Sequence, residues 1–336
     1  MLKKILKIAL ISLLSLVVLF GLALLTIHLI TPLIYNDFFS NSEAEYVTPG
    51  LSDGVVPQGY TFIEDKGVYL MCGYMANGDA SRIYVTKEGD EKNSTYVRLV
   101  DADGNDYTGH TGGITSDGNL VWLANDGDGD DNKVWVLSLD TILNAKSGDS
   151  TKLTLSFKPE SRSAYCLVDG EYLWVGEFRD PEKYLTEKTH EFDVAGEVNN
   201  YAIICAYKID KNSATGLASD TPEKIVSVRD LTQGFVRTND GKFVLSTSYG
   251  LSSSVMYVYD NVLDGEADSK LNINGVDVPV WYLDEDCLEY SVEMPPMSEE
   301  MVCKDGRIYV LFESACHKYI FGNFTRGVHV YSYKAK

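Results

Sequence analysis

From Ile8 to Ile30 the chain carries no charged residue, and Lys3, Lys4 and Lys7 stand just before this run. About 20 apolar residues at a 1.5 Å rise cross the hydrocarbon core of a bilayer, so the run predicts a membrane helix. A cleaved leader is the competing reading. Its apolar region is shorter, roughly 7–15 residues, and it ends in a small-x-small site. Here the run ends Thr31-Pro32-Leu33-Ile34-Tyr35 without such a site. That favours an uncleaved signal anchor over 8–31, preceded by a cytoplasmic stub (1–7) and followed by a linker (32–42). The lysines lie before the span, and Asp37 and Glu43 after it. The expectation is a single-pass protein of the cell membrane with 43–336 outside the cytoplasm. His28, near the far end of the span, reads as an interfacial histidine rather than a proton relay.

Beyond the anchor the polar and apolar positions repeat. Asp, usually Gly, then a short apolar run recurs at Asp65, Asp117, Asp169, Asp240 and Asp305, with spacings of 52, 52, 71 and 65 positions. An Asp-Gly pair suits a tight hairpin turn. The runs that follow, such as Leu120-Val121-Trp122-Leu123 and Tyr172-Leu173-Trp174-Val175, are apolar on successive residues. Strands covered on both faces read this way, whereas half-exposed strands alternate. The second unit offers four strands over 113–116, 120–124, 133–139 and 152–157, and the third over 164–168, 172–176, 201–209 and 224–228. Four strands per repeat, stacked around an axis, predict an all-β five-bladed β-propeller. Six blades and a β-sandwich are the alternatives. The fifth unit has strands over 299–303, 307–312 and 328–333 but lacks a fourth, and the run 43–48 is expected to supply it and close the ring.

The strand before each Asp-Gly turn is expected to be innermost. Seven positions upstream of each Asp stand Gln58, His110, Arg162, Gln233 and Ser298. Eight positions downstream stand Gly73, Asn125, Glu177, Ser248 and Glu313, at the ends of antiparallel second strands. One channel mouth should therefore gather Gln58, His110, Arg162, Gln233, Ser298, Glu177 and Glu313 as ligand-binding candidates, with Glu299 beside them. Hydrated lining and a polar ligand or metal site on the axis are evenly matched readings. The loops 178–200 and 314–319 leave at the same mouth and are placed to cap it.

Charge changes the picture in one respect. The 336 residues carry 29 Lys+Arg against 49 Asp+Glu, a net charge of −20. Nucleic-acid binding depends on basic residues that neutralise phosphates, so no nucleic-acid partner is expected. Most of the acidity is explained by a solvated surface.

The run 125–132 (NDGDGDDN) invites calcium, since Asp126, Asp128 and Asp130 place oxygen ligands at alternate positions. A twelve-residue calcium loop starting at Asp126 needs Glu where Leu137 stands, and a nine-residue loop needs an acid where Val134 stands. An acidic hairpin loop is the better reading; calcium or another divalent metal remains the only cofactor candidate. Paired carboxylates would suit glycoside hydrolysis, yet the inner ring holds Gln58, His110, Arg162, Gln233 and Ser298 rather than acids. His110 is a candidate base or metal ligand. There is no Gly-x-Ser-x-Gly elbow and no phosphate-binding glycine loop. Of six scattered cysteines, Cys72, Cys166, Cys205 and Cys303 fall in predicted strands as small apolar groups.

The segments Pro57-Gln58-Gly59, Gly109-His110-Thr111-Gly112-Gly113, Thr232-Gln233-Gly234, Ser246-Thr247-Ser248-Tyr249 and Phe312-Glu313-Ser314-Ala315 resemble bacterial secreted or membrane-anchored propellers of uncharacterised type. They are distantly similar to gluconolactonase and strictosidine-synthase-like propellers. The resemblance implies the fold and, from the latter group, a metal on the axis, partly matched by Glu299, Glu177 and Asn125. The functional expectation is a membrane-anchored propeller that binds a ligand, glycan or protein partner at its mouth. The alternative is a metal-dependent hydrolase or lactonase using His110, Glu177, Glu299 and Glu313.

Overall fold

A computed structural model describes residues 2–196, 198–319 and 322–336. It opens with α1 (Leu2–Ile34), long and apolar enough to cross a membrane, then α2 (Asn36–Ser40) and β1 (Ser42–Val47). Five sheets follow. Blade 1 holds β2 (Val55–Ile63), β3 (Val68–Met75), β4 (Arg82–Lys87) and β5 (Thr95–Val100). Blade 2 begins with β6 (Thr111–Ser116), β7 (Leu120–Asn125) and β8 (Lys133–Ser138).

The expected outer strand 152–157 is divided. Ser150–Lys152 (β9) runs parallel to β5 and widens blade 1, and only Ser156–Phe157 (β10) pairs with β8. The short helix Leu139–Asn144, capped by Ser138 Oγ on the Thr141 N–H, carries the chain across.

Blade 3 holds β11 (Tyr165–Asp169), β12 (Tyr172–Gly176), β13 (Ala202–Lys208) and β14 (Lys224–Val228). Blade 4 holds β15 (Thr232–Arg237), β16 (Phe243–Thr247) and β17 (Ser254–Tyr259). The hairpin β18 (Ser269–Ile273) and β19 (Val276–Tyr282) then departs to join blade 3, β19 running parallel to β14, before β20 (Leu288–Met294) completes blade 4. This hairpin and the loop before Asn200 account for the two long repeats, so the extra length builds no sixth blade. Blade 5 holds β21 (Ser298–Lys304), β22 (Arg307–Phe312) and β23 (His329–Lys334), and β1 pairs antiparallel to β23 as its fourth strand.

The inner strands β2, β6, β11, β15 and β21 touch one another in a closed circuit. Apolar side chains of adjacent blades pack between the sheets. Leu70, Cys72, Ile114, Val121 and Leu123 fill the gap between blades 1 and 2, and Trp174, Phe235, Phe243 and Leu245 that between blades 3 and 4. Dense burial on both faces is why the second strands carry no alternation.

At the axis lies Glu300, 2% exposed. Its Oε2 accepts the N–H groups of Tyr60 (2.7 Å) and Ile114 (3.0 Å), and its Oε1 accepts that of Cys166 (2.8 Å). One carboxyl group of blade 5 thus ties the inner strands of blades 1, 2 and 3. Ser298–Met301 is a β-bulge, which re-aims side chains out of the regular ladder and sends Glu300 to the axis. The close fit requires glycine around it. A Cβ on Gly113 would sit 2.6 Å from Glu300 Oε1, and one on Gly234 2.7 Å from Glu300 Cα. Burial pushes the Glu300 pKa from 4.5 up to about 8, against the pull of the three N–H groups.

The segment 32–42, expected as a linker, is packed instead. Tyr35 and Phe38 are buried against blades 4 and 5, and the Phe38 ring stacks on Tyr333. Tyr35 Oη lies 3.2 Å from Ser253 Oγ, and Arg326 Nε donates to the His28 carbonyl at 3.2 Å.

Glu300→Gln puts an NH2 group against a backbone N–H, because an amide has one acceptor oxygen for three donors that need two. A buried donor left unsatisfied costs about 1–3 kcal/mol. The variant is expected to lose that much in urea unfolding; a change below about 0.5 kcal/mol would mean that the carboxyl does not tie the blades.

Candidate functional site

The mouth is formed where inner strands begin and second strands end. Four of the inner strands carry a bulge: β2 between Pro57 and Tyr60, β6 between Thr111 and Gly113, β15 between Thr232 and Gly234, and β21 as above. At the mouth lies a cavity of about 760 Å³. Gln58, His110, Arg162, Gln233, Glu299 and Glu313 all line it, so the predicted ring is largely assembled.

Two expected members are elsewhere. Ser298 is fully buried, with its Oγ 2.7 Å from Ser246 Oγ and its N–H on Ser254 Oγ. It seams blades 4 and 5 and has no face on the cavity. Glu177 is 1% exposed and turns outward to a smaller cavity of about 290 Å³. It accepts the N–H groups of Arg162 (3.1 Å) and Ile203 (3.0 Å) and lies 2.9 Å from His190 Nδ1. Glu177 therefore holds the 178–200 loop down and lines the smaller cavity, whereas Glu313 lines the larger one. Burial disfavours a charged His190, but Glu160 and Glu177 together outweigh burial and raise its pKa.

Glu299 and Glu313 form the acidic floor. Burial pushes both pKa values up; the Glu313 and Glu300 carboxylates raise Glu299 further, while the Lys318 ammonium and the hydrogen bonds of Tyr319, Tyr74 and Gln58 pull Glu313 down. Glu313 Oε1 accepts from Gln58 Nε2 at 3.0 Å and from Tyr74 Oη at 3.4 Å. Lys318 Nζ donates to Tyr74 Oη at 2.6 Å, and Tyr319 Oη stands 3.4 Å from the same oxygen. The His110 ring lies 5.4 Å from that of Tyr74 and opens to the cavity. Its surroundings in the cavity and the Lys318 charge push its pKa down, while the residue keeps an exposed face.

The opposite wall is aromatic. Phe178 meets Tyr184 at 5.7 Å and Tyr249 at 5.9 Å between ring centres, and Lys183 Nζ donates to Tyr249 Oη at 2.8 Å. At the side, Arg162 Nε binds Asp126 Oδ1 at 2.7 Å and its Nη1 reaches Asp128 Oδ1 at 3.4 Å. Asp130 is exposed in the short 3-10 turn Gly129–Asp131. The two carboxylates a cation would need are thus held by a guanidinium. Among the described residues no group of three His, Cys, Asp or Glu is arranged to hold a metal ion.

Tyr74, Phe178 and Tyr249 carry a repeat signal that lies outside the expected ring. They stand nine positions after Asp65, Asp169 and Asp240, one beyond the strand-end register, and Asp126 holds the same place in blade 2. Tyr184, Lys318 and Tyr319 come from loops with no repeat signal. The cysteines are all free thiols, with Cys72, Cys166, Cys205 and Cys303 in strands.

No family model matches the chain, and no curated protein matches it. Solved structures similar to it are a GH43_1 enzyme from Xanthomonas citri (9% identity, TM-score 0.49, 89% of this chain and 91% of that one), the PQQ-bound aldose sugar dehydrogenase of Streptomyces coelicolor (12%, 0.45, 81% and 78%) and BamB from Moraxella catarrhalis (8%, 0.34, 84% and 85%). These distant likenesses concern the propeller fold and reach none of the cavity's chemistry.

Glu299, Glu300 and Glu313 keep protons that the unfolded chain has already lost once pH exceeds about 4.5. Their contribution to stability is therefore greatest in acid and falls as pH rises toward about 8. The melting temperature should drop across this window, and Glu299→Gln/Glu313→Gln should flatten the drop. An unchanged slope in the double variant would contradict the raised pair.

Proposed function

We propose that the cavity binds a neutral, hydroxyl-rich ligand, a glycan, at the mouth of a membrane-anchored propeller whose body lies outside the cytoplasm. One observation carries this: an aromatic wall (Phe178, Tyr184, Tyr249) faces a hydrogen-bonding floor (Gln58, Tyr74, Glu299, Glu313) across a single cavity. A sugar ring presents apolar C–H faces and a polar edge, and such a cavity meets both. Apolar walls supply contact area while a few convergent polar groups fix orientation. The raised Glu299 and Glu313 suit the polar role, because a protonated carboxyl both donates and accepts. The side of the membrane rests on Lys3, Lys4 and Lys7 standing before α1.

A second reading, hydrolysis, is favoured by the Glu299–Glu313 pair. Two coupled carboxyls whose pKa values separate give one proton donor and one ionised partner, the combination that glycoside hydrolysis uses. Gln58 and Tyr74 on Glu313 make it the partner that ionises first, with Glu299 as the acid. Glu177 has no part in this chemistry, and His110 stands neutral beside it.

A thermal-shift series on the full-length protein, with neutral oligosaccharides and with calcium and other divalent ions as separate arms, tests both readings. A ligand present at 100 times its Kd stabilises the fold by about 2.7 kcal/mol. An oligosaccharide shift is expected, and Tyr249→Ala should weaken it about tenfold, equivalent to about 1.4 kcal/mol. Glu299→Gln should abolish any hydrolysis while keeping the shift. A shift from ions alone would overturn the glycan reading.

A further inference from the structure

The end of α1 fixes which face of the propeller meets the bilayer. Its last turns lean on the body through one stripe, with Leu24 and His28 half-buried and Thr31 and Tyr35 buried, whereas residues 2–23 are exposed. Two partners of this stripe are Arg326 and Ser253. Arg326 lies in the β22–β23 connection and Ser253 in the β16–β17 connection, and both connections leave at the cavity mouth. From there α2 descends between blades 4 and 5, reaching Lys336 through Asp37, and β1 begins at the opposite face, where Ser42 pairs with Tyr333. The membrane-crossing part of α1 therefore departs from the mouth side. About 20 residues are needed to cross the hydrocarbon core; counted from Ile8 such a span ends at Ile27, within the stripe, beside His28.

The exposed apolar residues agree. Outside α1, six large apolar side chains are exposed among the described residues: Val47, Tyr184, Leu185, Val198, Leu251 and Val276. Tyr184, Leu185 and Val198 stand in the β12–β13 connection and Leu251 in the β16–β17 connection, while Val47 ends β1 opposite His329 at the start of β23. All five belong to the mouth face; Val276, at the outset of β19, belongs to the other. Charge in the mouth connections is mixed, with Lys183 and Arg326 as well as Asp128 and Asp130, so attachment rests on apolar contact next to the anchor rather than on attraction to anionic lipid.

We propose that the mouth face lies against the lipid surface and that the cavity takes its ligand from the plane of the membrane, as the sugar head of a lipid-borne molecule. The identity of the head rests on the glycan reading above; the docking of the face does not.

The test uses the full-length chain in nanodiscs containing a diazirine phospholipid, with lipid adducts located by mass spectrometry. Adducts are expected at Tyr184–Leu185 and at Leu251, and not at the opposite-face hairpin turn Asn274–Gly275. Adducts confined to α1, or equal on both faces, would overturn the docking. Leu185→Gln/Leu251→Gln should cut loop adducts at least fivefold while leaving the shift produced by a soluble oligosaccharide in detergent unchanged; undiminished adducts would again overturn it. A nanodisc carrying monogalactosyl diacylglycerol should raise the melting temperature more than free galactose at equal concentration. Equal or smaller shifts would overturn the lipid source alone, and loop adducts without any sugar response would retire the glycan reading while leaving the docking in place.

Discussion

A single carboxyl group sets the dimensions of this ring. Glu300 sits where five inner strands converge, and its two oxygens serve three backbone N–H groups from three other blades. The donors of Tyr60 and Ile114 lie on strands whose ladder is interrupted by a bulge, and that of Cys166 on the unbulged β11. Left alone they would be buried and unsatisfied, which backbone groups rarely tolerate. The glycines follow from this requirement, since only a residue without Cβ lets Gly113 and Gly234 approach so closely. The cavity floor is left to the neighbouring Glu299, together with Glu313.

The repeat is readable because its cause is local. Asp-Gly turns and doubly covered strands leave a pattern that survives large sequence divergence, and 43–48 stands out because blade 5 lacks a strand. The division of 150–157 between two blades is not readable. Pairing of β9 with β5 and of β10 with β8 depends on which sheet edge is near, and a short run of residues does not carry that. The hairpin β18–β19 raises the same difficulty: its strands are ordinary, and its destination in blade 3 is a matter of tertiary position.

The candidate site is half legible for a related reason. Repeat arithmetic places a residue at a height on its blade, and Gln58, His110, Arg162, Gln233 and Glu313 do reach the cavity. It does not say which way a side chain turns. Ser298 and Glu177 occupy equivalent positions and turn away, one into a hydroxyl seam between blades and the other to His190. In neighbouring positions, the Ser298–Met301 bulge separates Glu299, which lines the cavity, from Glu300, which holds the fold. Two adjacent glutamates thus have different duties, and composition alone treats them as one acidic pair.

The N-terminal strand in the last blade also orders events during synthesis. β1 is made about 290 residues before its partner β23. Four blades can assemble while the chain grows, but β1 must wait beside α1 and α2 without its mate. Because α1 and α2 pack against blades 4 and 5, that waiting strand is held close to where blade 5 forms, which shortens the search a free chain of this length would conduct through a far larger volume.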